Sequence, residues 1–158
     1  MRKTDFFLLL KIYITLFLFS SPVMAEGTIS LSNAWINEAP PTVSILAGYV
    51  NISNQSTQEI TLLDITSPVF TKIEIHHSRV DADGMAHMEK QTGLPIPAGE
   101  TIEFKPGGYH LMLFNPDSIQ KTGQTIPLDF YFSNGQNYAV EAKIERRSNE
   151  QQEHHHNH

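Results

Sequence analysis

The chain has 158 residues and no cysteine, and its 17 acidic residues outnumber its 11 lysines and arginines, giving a formal charge of −6. A surface of this sign argues against nucleic-acid binding, which depends on basic groups that displace counterions. Without cysteine there is no thiol or disulfide chemistry, so a metal site would have to use histidine, methionine or carboxylate ligands.

The first 25 residues are organised like a secretory signal. Arg2 and Lys3 precede an apolar run that ends in small residues at Ala25. The uncharged stretch 12–25 is shorter than the roughly 20 residues that span a bilayer. These features predict export with cleavage after Ala25, and no stable membrane insertion of the cleaved protein.

The remainder is expected to form one domain at 26–146, with an all-β fold. Short runs rich in Val, Ile, Thr and aromatic residues alternate with Pro, Gly, Asn and Asp clusters, and no long segment has helical periodicity. We expect eight or nine strands and a Pro-rich crossover at 93–99, arranged as a Greek-key β-sandwich. The candidate strands are 28–37, 44–52, 59–66, 71–78, 84–90, 101–104, 109–115, 124–132 and 136–145.

Alternation along the strands assigns side chains to faces. With Ile73 and Ile75 in the core, Glu74 and His76 point the other way, and His77 points inward unless the strand ends or bulges there. In strand 59–66, Leu63 and Ile65 are expected on one face, and Ile60 and Leu62 on the other.

Strand 109–115 carries two metal-binding side chain types on one face. His110 and Met112 project together, whereas Leu111 and Leu113 point into the core. Taken alone, this strand is better explained by Met112 as a packing residue and His110 as a surface residue hydrogen-bonded near the turn.

The concentration of such residues favours a metal site. Outside residues 1–25 and the C-terminal tail, every histidine and methionine lies between positions 76 and 112: His76, His77, Met85, His87, Met88, His110 and Met112. Imidazole and thioether ligands without thiolates select copper, and methionine favours Cu(I). Zinc sites use mainly cysteine, histidine and carboxylates. Glu74, Glu89, Asp81 and Asp83 are explained as solvated charges, and no catalytic motif is present, so the sequence favours a binding protein over an enzyme.

The same stretch resembles the PCu(A)C family of periplasmic copper chaperones. That family's pattern is a histidine, ten residues, a methionine, twenty-one residues and His-x-Met. Twenty-one residues separate Met88 from His110-Leu111-Met112, and the segments 93–99 (GLPIPAG) and 105–113 (KPGGYHLML) are also similar to the family. The position of the first ligand stays open. Ten-residue spacing selects His77, whereas strand alternation and the local phrase 73–76 (IEIH) select His76.

The resemblance implies a cupredoxin-like sandwich that binds Cu(I) through two histidines and two methionines in the periplasm. It also implies delivery of copper to the copper subunit of cytochrome c oxidase, beside a Sco-type protein. The tail 147–158 is expected to be disordered, and resembles extensions that hold a second ion, such as Cu(II), unless it is a purification-tag remnant. Its candidate ligands are His154, His155, His156 and His158. Alternatives are a copper storage or resistance protein acting through this tail, and a structural β-sandwich that binds no metal.

Overall fold

The computed structural model describes residues 29–147, which form an all-β sandwich. The predicted signal 1–25 and the tail histidines lie outside the described residues. Within the described residues ten strands follow one another: β1 Ile29–Asn37, β2 Ile45–Asn54, β3 Ile60–Thr66, β4 Phe70–Val80, β5 Ala86–Gln91, β6 Leu94–Ile96, β7 Thr101–Glu103, β8 Tyr109–Pro116, β9 Thr125–Phe132 and β10 Asn137–Glu145. Within residues 29–147 no helix is long and apolar enough to cross a membrane.

The strands are joined in one hydrogen-bonded path, in the order β5-β4-β8-β2-β1-β10-β9-β3-β6, and β7 pairs with β2 beside it. All pairs are antiparallel except β1 with β10. The path folds over a single core to which the inward-facing residues of most strands contribute. The predicted fold class, a Greek-key β-sandwich, is confirmed.

Alternating burial shows why these sequences form strands. In β9, Ile126, Leu128, Phe130 and Phe132 are buried, and the residues between them are half-buried. In β8, Leu111 and Leu113 are fully buried, whereas Met112 between them is only half-buried. Burial of one apolar face of each strand is the main stabilising contribution. The same burial turns His110 and Met112 towards the opposite face of β8.

Two local predictions were wrong, and each has a physical reason. The crossover 93–99 contains the strand β6, which lies at the end of the sheet formed by residues 29–147 and pairs there with β3. Pro95 is tolerated there because β6 is an edge strand. Proline has no backbone N–H, and on the outer side of an edge strand no neighbouring carbonyl requires one. In β3, an irregularity between Leu62 and Asp64 adds one residue, so Ile65 is buried with Ile60 and Leu62 while Leu63 is 56% exposed.

Candidate metal centre

Three adjacent strands, β5, β4 and β8, form the end of the sheet that carries the candidate ligands. His76 on β4 is the cross-strand partner of His110 on β8, and Met88 on β5 lies opposite Ser78 on β4. Because side chains alternate between faces, this register puts the four residues His76, Met88, His110 and Met112 on the same face. Ile73, Ile75, Leu111 and Leu113 occupy the core face.

The two imidazoles are near neighbours. The ring centroids of His76 and His110 lie 6.0 Å apart, and the ring planes are inclined by 35°. A metal ion bound at about 2 Å from an imidazole nitrogen lies roughly 3 Å from the ring centroid, so rings that share one ion have centroids within about 6 Å. The observed separation therefore fits a shared ion.

His110 is held in a defined orientation by the turn that precedes β8. The Nδ1–H of His110 donates to the carbonyl oxygen of Gly108 at 3.0 Å, since a carbonyl only accepts. The turn is closed by the amide of Gly108, which donates to Lys105 O, and by Gly107 with φ +79°. His110 as a whole is 8% exposed. Nε2 is then the nitrogen whose lone pair is available to a metal.

His76 is held by a carboxylate on its own strand. Nε2 of His76 lies 3.0 Å from Oε2 of Glu74, and their side chains are only 14% and 12% exposed. The other carboxylate oxygen, Oε1, accepts from Lys90 at 2.7 Å and from Lys72 at 3.0 Å. Hydrogen bonds from Lys90, His76 and Lys72 lower the pKa of Glu74 from 4.5 to about 2. Glu74 is therefore ionised at neutral pH.

The second ring nitrogen of His76 has no partner among the described residues. Nδ1 is buried and makes no hydrogen bond. Buried polar atoms without partners are rare in folded proteins and mark places where an ion or water belongs. Two ring nitrogens, Nδ1 of His76 and Nε2 of His110, are thus left to bind a metal ion.

The two methionines differ in exposure. Met112 is half-buried, with Glu74 and Ala47 as its cross-strand partners. Met88 lies on the edge strand β5 and is 56% exposed. The face therefore has a sheltered side at β8 and an open side at β5.

His77 lies away from these four residues. Its ring stacks on Tyr109, its cross-strand partner, with centroids 4.2 Å apart and planes within 14°. The strand β4 continues without a break to Val80, so His77 points to the same side as Ile75. His76, and not His77, shares the face of Met88, His110 and Met112.

The remaining candidates surround the hairpin tip. Nε2 of His87 lies 2.6 Å from Asp81, which also accepts from the amides of Asp83 and Met85 and so closes the turn. His87 is on the opposite face of β5 from Met88, and Met85 is 60% exposed. Between residues 29 and 147, no three His, Asp or Glu side chains gather into a group that could hold a metal ion.

Glu74 was undervalued at the sequence level, where it was interpreted as a solvated charge. The structure encloses it between two lysines and a histidine. A signal was present in the sequence, because Lys72, Glu74 and His76 share one strand face at two-residue spacing.

Solved structures with the same fold include copper proteins. The copper-bound PCuAC domain of PmoF2 is 17% identical, with a TM-score of 0.65, and the match covers 78% of this chain and 97% of that domain. Copper(I)-loaded DR1885 from Deinococcus radiodurans is 23% identical over 80% of this chain and 82% of that one, with a TM-score of 0.57. The predicted resemblance to PCu(A)C proteins is confirmed.

Sequence comparison identifies the family through a family model. The protein named "Putative lipoprotein Lxx21020", from Leifsonia xyli subsp. xyli, is 26% identical over 120 residues, which are 76% of this chain and 70% of that protein. "Uncharacterized protein RP573" from Rickettsia prowazekii is 26% identical over 127 residues, covering 76% of this chain and 68% of that protein. The family described as "Putative lipoprotein LpqE-like" matches residues 29–144, and the chain belongs to this family.

Proposed function

We propose that this protein is an exported chaperone that carries Cu(I) in one site, with His76, Met88, His110 and Met112 as the ligands. The observation that carries the proposal is that two imidazoles and two thioethers share one face of three adjacent strands. Copper-bound relatives with the same fold support it. Copper is the cargo of such a protein and not a resident cofactor.

The donor atoms favour Cu(I) over harder ions. Thioether sulfur is a soft ligand that prefers Cu(I), whereas carboxylates suit magnesium, calcium and manganese. The one carboxylate next to the site, Glu74, is already engaged by Lys72, Lys90 and His76. Zinc sites recruit carboxylates or thiolates beside histidine, and this face offers thioethers instead.

The same donors suit transfer better than electron transfer. Blue-copper centres use a cysteine thiolate, and the chain has no cysteine. The open side at Met88, 56% exposed, gives an incoming ligand of a second protein access to the ion. A carrier with one exposed ligand releases its cargo by ligand exchange without unfolding.

The proposal includes a location and a recipient. The lipoprotein names of the family and of the Leifsonia relative support export, in line with the signal predicted at 1–25. We propose a periplasmic location, and the copper subunit of cytochrome c oxidase or a Sco-type protein as recipient. These partners come from the PCu(A)C resemblance.

A competition titration against a Cu(I) chelator tests the site. The four tail histidines, His154, His155, His156 and His158, are first replaced by alanine, so that only the folded domain contributes. His110→Ala and Met112→Ala are then expected to weaken Cu(I) binding by more than the roughly 10–100-fold typical of outer-shell partners. Met85→Ala and His87→Ala are matched controls that lie off the face and are expected to keep the affinity. Unchanged affinity in both site variants would refute the proposed site.

A further inference from the structure

The contact between Glu74 and His76 assigns a role to Glu74. We propose that Glu74 is a positioning residue that fixes His76 as the Nε2–H tautomer, so that Cu(I) binds Nδ1 of His76 but Nε2 of His110. The inference rests on the proposed copper site, and it concerns how that site is preorganised. Two histidines that face each other would then bind one ion through different ring nitrogens.

The two carboxylate oxygens of Glu74 have different partners, which supports this role. Oε1 is occupied by Lys72 from β4 and Lys90 from β5. Oε2 is left to His76, at 3.0 Å from Nε2. An ionised carboxylate only accepts hydrogen bonds, so a neutral His76 must carry its proton on Nε2 to make this contact. The lysines hold the carboxylate from two strands, which keeps the acceptor in place.

The other side of the His76 ring agrees with this assignment. Nδ1 is the nitrogen that lacks a proton in this tautomer, and it is buried without a hydrogen-bonding partner in residues 29–147. A metal ligand that donates its other N–H to a carboxylate is a recurrent arrangement, because it fixes the tautomer and raises the basicity of the bound nitrogen.

His110 has the opposite arrangement. Its Nδ1–H donates to a backbone carbonyl, that of Gly108, and Nε2 is therefore the free nitrogen. A backbone carbonyl cannot be removed by side-chain substitution, whereas Glu74 can. The tautomer of His76 is thus the one that a variant is able to change.

Nitrogen NMR of the metal-free protein tests the tautomer directly. Long-range proton–nitrogen correlations, recorded above about pH 7.5 where free imidazole is neutral, are expected to show Nε2–H for His76 and Nδ1–H for His110. Glu74→Ala is expected to give a mixture of tautomers at His76, and Glu74→Gln, which keeps an accepting oxygen, to retain Nε2–H. Glu103→Ala is the matched control, since Glu103 pairs with Lys105 two residues away and has no hydrogen bond or ion pair with a histidine of residues 29–147. An Nδ1–H tautomer at His76 in the unmodified protein, or no change in Glu74→Ala, would overturn the proposal.

Loading with Cu(I), which is diamagnetic, separates this proposal from the proposed function. We expect copper-induced shifts at Nδ1 of His76 and Nε2 of His110, and a loss of affinity of roughly 10–100-fold in Glu74→Ala, smaller in Glu74→Gln and absent in Glu103→Ala. Binding of Cu(I) through Nε2 of both rings would refute the proposed role of Glu74 but not the proposed function. Failure of the unmodified protein to bind Cu(I) would refute the proposed function.

Discussion

His76 and His110 are cross-strand partners on β4 and β8, and their ring centroids lie 6.0 Å apart. The pairing depends on the backbone register of two strands, since a shift by one residue would turn one of the rings to the core face. Buried leucines and isoleucines on that core face fix the register: Ile73, Ile75, Leu111 and Leu113. Packing of the core therefore sets the distance between the candidate ligands.

Replacing the two adjacent histidines separately tests which one binds copper. His76→Ala is expected to weaken Cu(I) binding, because it removes a ring that faces His110. His77→Ala is expected to keep the affinity, because that ring stacks on Tyr109 on the other face. Cu(I) competition titrations of the two variants measure this difference. Loss of affinity in His77→Ala with none in His76→Ala would contradict the assignment.

Replacing the two methionines should have unequal effects. Met88 is 56% exposed and Met112 is half-buried. Ordering a free methionine side chain costs up to about 1.5–2 kcal/mol of conformational entropy, which corresponds to roughly tenfold in affinity. The exposed Met88 pays this cost when it binds the ion. Met112→Ala is therefore expected to weaken Cu(I) binding roughly tenfold more than Met88→Ala. Met85→Ala, equally exposed at the hairpin tip, is the control. Equal losses in Met88→Ala and Met112→Ala would argue against this asymmetry.

The strand that carries His110 and Met112 depends on its buried leucines. Leu111 is fully buried, and Leu111→Ala is expected to lower the free energy of unfolding by about 2–5 kcal/mol through lost burial and the cavity left behind. Leu63 is 56% exposed, so Leu63→Ala is expected to change stability by no more than about 0.5 kcal/mol. Urea denaturation of both variants measures the difference. Similar values for the two would contradict the assignment of faces.

Glu74 should titrate far below an ordinary glutamate. Its pKa is lowered from 4.5 to about 2 by Lys90, His76 and Lys72. Because the folded pKa is below the unfolded one, the contribution of Glu74 to stability is complete above about pH 4.5 and is lost as the pH falls towards 2. The difference in unfolding free energy between the unmodified protein and Glu74→Gln is therefore expected to shrink across that window. Carboxyl carbon NMR should show Glu74 ionised below pH 4.5. A pKa of Glu74 at its ordinary value would count against the contacts with Lys72, His76 and Lys90.

Alternation of side chains was sufficient to predict most of the fold. Alternation around Ile73 and Ile75 in β4 and around Leu111 and Leu113 in β8 predicted the faces of Glu74, His76, Leu111 and Met112. It failed at Leu63 because a bulge adds one residue without a signal in composition.

Long-range contacts could not be predicted from the sequence. Lys90 reaches Glu74 from the neighbouring strand, and this contact depends on the register in which β4 and β5 pair. The stacking of His77 on Tyr109 depends on the pairing of β4 with β8. Strand alternation assigned residues to faces, but which residues meet across neighbouring strands was known only from the register in the structure.

X-ray absorption at the copper edge is the most direct test of the proposed site. The sample is the Cu(I)-loaded protein with its four tail histidines replaced by alanine, so that the signal reports the folded domain alone. Two imidazole nitrogens and two sulfur atoms around one copper ion are the predicted result. A copper environment without sulfur would contradict the proposal that Met88 and Met112 bind the ion with His76 and His110.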